Sequence, residues 1–249
     1  GLHVEYGAVE IADDGKVIGR VGTSAHGQGH ITAFSMIIAD MLGVAMEDVT
    51  IIQSDTDEIP RGAGTMGSRS LQTAGSAMHV ASETVLDKGK LLAAHLLEAN
   101  ADDVVAGDGG LHVAGVPANG LSWAELAKAS KDADRRPEGM EAGLAHELDF
   151  DGSDATFPFG AHIAVVEVDT ETGEVELLRH VAVDDCGRIL NPMLVKGQQH
   201  GGIAQGAAQA LYEGVFYDDE GNPVTGNLMD YAIPSAAELP SFEAHNTET

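Results

Sequence analysis

Cationic residues and cysteine are both scarce in this chain. Against 40 Asp and Glu stand 13 Lys and Arg, for a formal net charge of −27. So acidic a surface repels phosphates, which disfavours nucleic-acid binding. The acids are scattered ("IADDGK", "QSDTDE", "EANADD", "FDGSD", "VDTETGE") rather than gathered on one segment. That distribution reads as a solvated, halophilic type of coat more readily than as a docking surface for a cationic partner. The single cysteine, Cys186, excludes an intrachain disulfide and fits a reducing compartment. No uncharged apolar run is long enough to span a bilayer. The start "GLHVEYGAVEIADDGK" alternates like a strand and lacks the basic stretch of a signal peptide. These absences predict a cytoplasmic protein without a membrane span. Several motifs are missing as well: the Walker phosphate loop, the dinucleotide-fold glycine spacing and the Gly-x-Ser-x-Gly elbow. His26, His30 and His200 have no recognised spacing with carboxylate or thiol partners, so no protein-ligated metal is expected.

What is present is a globular composition, 43% hydrophobic over 249 residues, enough for one large domain or two small lobes with a real core. "GAVEIADDGKVIGRVGTS" predicts a hairpin turning at Asp14-Gly15. From Ile31 to Leu42 the period becomes helical, with Phe34, Ile37, Ile38, Met41 and Leu42 on one face and Gly43 placed to stop it. "EDVTIIQSD" reads as a short buried strand. A second helix is predicted from Leu71 to about Asn100, then a hairpin at "DVVAGDGGLHVAG" and a helix at "SWAELAKAS" capped by Ser122 with Glu125. Residues 131–155 read as a connecting excursion. The second half predicts a hairpin over "AHIAVVEVDTETGEVELLRHVAVDD", a loop, a helix through Leu211, and short strands at "GVFYD" and "PSFEAH". Hairpin, glycine-bearing loop, helix and strand thus occur twice. The expected fold is α+β with two lobes, 1–130 and 156–249, both glycine-bearing loops meeting at one interface.

Three loops carry the candidate chemistry. In "GQGH" the glycines Gly27 and Gly29 let the backbone approach an oxygen-rich ligand where a helix opens, while Gln28, His30 and Thr32 add side-chain donors and acceptors. A helix entry that uses glycine merely for its turn geometry explains that motif equally well. In "GAGTMGSRSLQTAGSA" four glycines, several hydroxyls and Arg69 precede an apolar helix, a set that suits a phosphate or a polar heterocycle. In "DDCGRILNPMLVKGQQHGG" Asn191 is placed as a helix N-cap with Pro192 first in the helix. Cys186, following a buried strand, is by itself more readily an inert core thiol. The three loops point to a large, polar, multi-phosphate ligand held mainly by backbone and amides.

Taken in order, "GQGHITAFSMIIADMLGV…EDVTIIQSDTD", "GTMGSRSLQTAGSA", "FPFGAHIAVVEVDTETG", "DDCGRILNPMLVKGQQHGG…AQALYEG" and "GNLMDYAIPSAAELPSFE" resemble the large subunit of the molybdenum hydroxylases, the xanthine oxidase family. The carbon monoxide dehydrogenase branch is the nearest in look. The resemblance runs over nearly the whole chain and is weakest around 131–155. It implies an oxidoreductase with a molybdopterin cytosine dinucleotide carrying the molybdenum, and iron–sulfur clusters and FAD on partner subunits or domains. It implies cofactor contacts at Gly27, Gln28, Gly29 and His30, at Thr65, Met66, Gly67, Ser68, Arg69, Ser70 and Thr73, and at Cys186, Asn191 and Gln198. The family's glutamate base sits in a glycine-rich motif, and no "GVGE"-like segment occurs here. The family's substrate-side loop would lie upstream of Gly1, so the chain resembles a C-terminal portion, expected to be inactive alone and to associate with itself or with partner subunits. A non-catalytic cofactor-binding or assembly module of the same fold is the alternative.

Overall fold

The computed structural model describes residues 3–153 and 156–249, which form two compact units, Gly1–Thr156 and Phe157–Thr249. The first is built on a four-stranded sheet in the order β3-β2-β1-β7, with β1 Val4–Ile11, β2 Val17–Val21, β3 Val49–Ile52 and β7 Ala145–Asp151. β1 and β2 are the expected hairpin, in register from Gly7 opposite Val21 to Ile11 opposite Val17. β3 then runs parallel to β2, with helix α1, His30–Leu42, as the crossover between them.

Two helices cover the inner face of this sheet. Phe34, Ile38 and Leu42 of α1 are fully buried, as their spacing of four residues along one helix face requires. Each contributes about 1.5–3 kcal/mol on removal from water. Gly43 ends α1 in the left-handed conformation. The second helix begins as a π-helical turn, Leu71–Gly75, and continues as α2, Ser76–Leu97. Hydroxyls in that opening turn bond back to backbone carbonyls, Thr73 to Arg69 at 3.0 Å and Ser76 to Gln72 at 2.6 Å, which loosens regular pairing there. α2 can lie close on β1 because Gly7 faces it; a Cβ at Gly7 would stand 2.6 Å from the Ala77 Cβ and 2.8 Å from the Met78 Cε.

A smaller sheet of β4 Val104–Gly107, β5 Gly110–Val113 and β6 Val116–Ser122 follows, with a left-handed Asp108-Gly109 turn. The third strand, β6, is almost wholly exposed and carries no apolar alternation, so the sequence pattern does not announce it. Helix α3, Trp123–Lys131, has the predicted capping box, and Trp123 Nε1 donates to the Leu42 carbonyl at 2.9 Å, closing the end of α1.

The segment 131–155 differs from a mere connection. Within it β7 pairs antiparallel with β1 from Val4 opposite Asp151 to Glu10 opposite Ala145. "AHELDFD" is an edge strand with its exposed positions taken by Ala, Glu and Asp, and such charge on an edge obscures a strand in composition. The end placed at Ala155 lies outside the described residues.

In the second unit the sheet order is β10-β9-β8, with β8 Phe159–Val168 and β9 Val175–Asp185 antiparallel and β10 Glu243–Thr247 parallel to β9. Helix α4, Pro192–Leu211, lies between β9 and β10 in the chain. No strand forms at "GVFYD": Tyr217 makes an isolated bridge to Pro223 instead. α4 buries Ile203 and Ala208 and carries four interior glycines, each costing about 1 kcal/mol relative to Ala. Phe157, Phe159, Ile163, Met193 and Met229 are exposed. Among the described residues no helix is long and apolar enough to cross a membrane.

The close contact of β1 and α2 makes Gly7→Ala a direct check on this packing. Overpacking at this site should destabilise the first unit by about 1–3 kcal/mol in denaturant unfolding.

Candidate functional site

The loop 22–29 leaves the carboxyl end of β2 and turns into the amino end of α1. In open α/β crossovers that is where ligands are held. Gly27 and Gly29 have φ of 101° and 82°, a left-handed backbone that favours glycine. Gly29 is the N-cap of α1, no side chain caps it, and no acid lies in the first turn. The leading N–H groups of α1 therefore have no intrahelical acceptor, and the helix dipole adds partial positive charge in front of them.

Gln28 is turned back on its own loop: its Oε1 accepts from the His26 N–H, and its Nε2 reaches the Ser24 carbonyl at 3.5 Å. It braces the turn. Gln53, at the end of β3, accepts from the Ala25 N–H at 3.1 Å. His30 is buried against Phe34, ring centroids 5.1 Å apart, and its Nδ1 has no hydrogen-bond partner among the described residues. Burial pushes the His30 pKa below its ordinary value, opposed by a hydrogen bond with Gln53 and reinforced by His26.

The second loop packs directly on the first. Thr23, fully buried, shares its hydroxyl with Thr65 at 2.6 Å and Ser70 at 2.9 Å, and the Ser24 N–H donates to the Thr65 Oγ1 at 3.1 Å. Gly22 and Gly62 meet backbone to backbone; a Cβ on Gly62 would stand 2.4 Å from the Gly22 carbonyl oxygen. The residues expected from sequence to line this loop divide by direction. Met66, Gly67 and Ser68 are exposed, with Gly67 and Ser68 both at positive φ. Arg69, Ser70 and Thr73 are buried. The Arg69 guanidinium points inward, with Nη1 2.6 Å from the Glu5 carboxylate and 2.9 Å from the Gly64 carbonyl, and Nη2 2.8 Å from the Val4 carbonyl.

Glu5, 1% exposed, also accepts from the N–H groups of Tyr6 and Ala63. Sequence reasoning missed it, along with Thr23 and Gln53. A signal did exist: Glu5 shares the inward phase of β1 with Gly7, Val9 and Ile11, where a lone carboxylate demands a partner.

The third loop belongs to the second unit. Asn191 caps α4 as expected, accepting from the Leu194 N–H at 3.1 Å. Cys186 and Gln198 are exposed, so the thiol is not the core residue that its place after a buried strand suggests. Buried Asp185 holds the loop by accepting from the Gly187 N–H at 2.9 Å and from the Thr247 hydroxyl at 2.9 Å. Its pKa is lowered, first by the Gly187 amide. A cavity of about 480 Å³ lies elsewhere, on the outer face of the first sheet among Tyr6, Arg20, Glu58, Pro60, His146 and Glu147. There Arg20 already pairs with Glu10 and Glu58, both at 2.9 Å.

Two glycine-bearing turns are thus knitted together by hydroxyls. The family model for the molybdopterin cofactor-binding domain matches residues 1–240, and the chain belongs to that family. It is 38% identical to the carbon monoxide dehydrogenase large chain of Afipia carboxidovorans, over 97% of this chain and 30% of the relative. It is 36% identical to subunit gamma of the 6-hydroxypseudooxynicotine dehydrogenase complex of Paenarthrobacter nicotinovorans, over 98% of this chain and 31% of the relative. Among solved structures, quinoline 2-oxidoreductase from Pseudomonas putida 86 superposes with a TM-score of 0.89 at 40% identity, covering 99% of this chain and 31% of that one. The chain thus spans under a third of the length of these relatives.

The lowered pKa of His30 fixes a sign. A histidine kept neutral by the fold contributes stability above its ordinary value of 6.5, and that stability is lost as pH falls through the window below it. His30→Gln should flatten the fall in stability below pH 6.5, measured as denaturant midpoint against pH in both proteins.

Proposed function

We propose that this chain binds the molybdopterin dinucleotide, in its cytosine form, within the large subunit of a cytoplasmic molybdenum hydroxylase. The observation that carries this reading is the uncapped amino end of α1, preceded by Gly27 and Gly29 and flanked by the unpartnered Nδ1 of buried His30. These groups fit an anionic, oxygen-rich ligand. The α1 amides and the Gly27–Gly29 backbone hold its phosphate or pterin oxygens, and His30 Nδ1 gains a partner that burial otherwise denies it. Exposed Gly67 and Ser68 are proposed as further contacts, while Thr65, Arg69, Ser70 and Thr73 shape the loop from beneath. Met66 is exposed next to Gly67. Cys186, Asn191 and Gln198 are the second unit's proposed contacts.

Such a cofactor would supply the electron acceptor for an oxidative hydroxylation, or for CO oxidation, with iron–sulfur and flavin groups on partner subunits or domains. The residues of this chain bind and orient it; none is proposed as the base. The chain alone is therefore expected to turn over neither CO nor an aldehyde nor an N-heterocycle, and turnover of any of them would contradict that assignment. The exposed Phe157, Phe159, Ile163 and Met229 offer apolar surface to the other chains or domains of such an enzyme.

The test is elemental analysis for molybdenum together with nucleotide release by acid from protein purified from a molybdenum-replete host. Molybdenum with cytidine monophosphate is the expected result. Protein carrying neither would overturn the reading.

A further inference from the structure

Arg69, the cation of the second loop, is turned away from the ligand face. Its guanidinium is 6% exposed and lies against a carboxylate whose side chain is fully buried. Glu5 stands at the junction of three segments. It sits on β1, its Oε2 takes Arg69 Nη1 at 2.6 Å, and its Oε1 takes the Ala63 N–H at 3.3 Å. The backbone contact of Gly22 with Gly62 closes over it: a Cβ at Gly22 would stand 2.3 Å from Glu5 Oε1. One residue on a strand thereby ties both ends of the 62–70 loop to the body of the unit. Through Thr65 that loop is bonded in turn to Thr23 and Ser24 of the first loop.

We infer that Glu5 is a positioning residue. Through its buried ion pair with Arg69 it sets the 62–70 loop against the 22–29 loop, so that the Gly67–Ser68 turn and the α1 amides present their donors together. The inference rests on the cofactor reading above and changes the part played by Arg69, whose charge serves the loop rather than a phosphate. Buried ion pairs are poor stabilisers when compared with apolar replacements of the same volume, yet costly to break on one side. A pair retained under two ligand-facing turns is therefore better explained by the geometry it enforces than by the stability it adds.

The test compares wild-type protein with Glu5→Gln, Arg69→Gln and the double variant Glu5→Met/Arg69→Met. Two quantities are read: molybdenum and nucleotide per chain, and amide exchange of Ser24 in protein stripped of cofactor. The Ser24 N–H bonds to Thr65 of the other loop, so its exchange reports the docking of the two loops. Both single variants should lose about tenfold in bound cofactor, as groups one step behind a ligand site do, and both should exchange Ser24 faster. The double variant, which leaves no buried charge unpaired, should fold even if a single variant does not, and should show the same two losses. Wild-type cofactor content in Glu5→Gln alongside loss in Arg69→Gln would overturn the inference in favour of a direct Arg69 contact. Wild-type content in the double variant would overturn it in favour of mere space filling. Wild-type protein without molybdenum or nucleotide would sink the cofactor reading and the inference with it, whereas failure of the inference alone leaves wild-type content intact.

Discussion

An α-helix cannot satisfy its own first N–H groups, and at α1 no cap side chain does so. Two other helices close such ends with their own side chains, whereas the helix that starts at Leu71, like α1, has no side-chain cap. Ser122 and Glu125 close α3 reciprocally, and Asn191 closes α4. At α1 the cap is a left-handed glycine with no side chain, although Ser24, Gln28 and Gln53 are near enough to bond the same loop. Those groups brace the turn from behind and leave its front free. Local preference gives way here, as expected where a site takes precedence over stability.

The same chain logic serves both units. Each has an antiparallel hairpin, a loop at the carboxyl end of its second strand, a helix, and a third strand returning parallel to the second. In the first unit the helix is amphipathic and anchored by Phe34, Ile38 and Leu42. In the second it is glycine-rich and buries little. What differs is support: Glu5 and Arg69 underpin the first unit's loops, while Asp185 ties the second unit's loop to the end of β10 through Thr247.

The hairpins, the helix at Ile31–Leu42, its glycine stop and the Ser122 capping box were legible because each rests on residues adjacent in sequence. The three loops were legible as glycine-bearing punctuation before apolar helices. Long-range pairing was not. β7 returns from more than a hundred residues away to lie beside β1, and its charged edge composition hides it. The direction of Arg69 was likewise hidden, because its partner lies 64 positions upstream. In sequence a cation among glycines and hydroxyls looks like a phosphate ligand; only Glu5, misplaced by polarity on the inner phase of β1, hints otherwise. The candidate site is thus readable as a place, but which of its residues are exposed and which are buried beneath them is a property of the fold.

The central claim is that the cofactor is held by the backbone of two braced turns. Amide exchange measured residue by residue on cofactor-loaded and cofactor-stripped protein tests it most directly. Protection on loading concentrated at Gly27 to Thr32 and at Gly64 to Ser70, with little change around Tyr6, Arg20 and Glu147, is what the account predicts. Protection centred on the outer-face cavity, with the two turns unchanged, would contradict it.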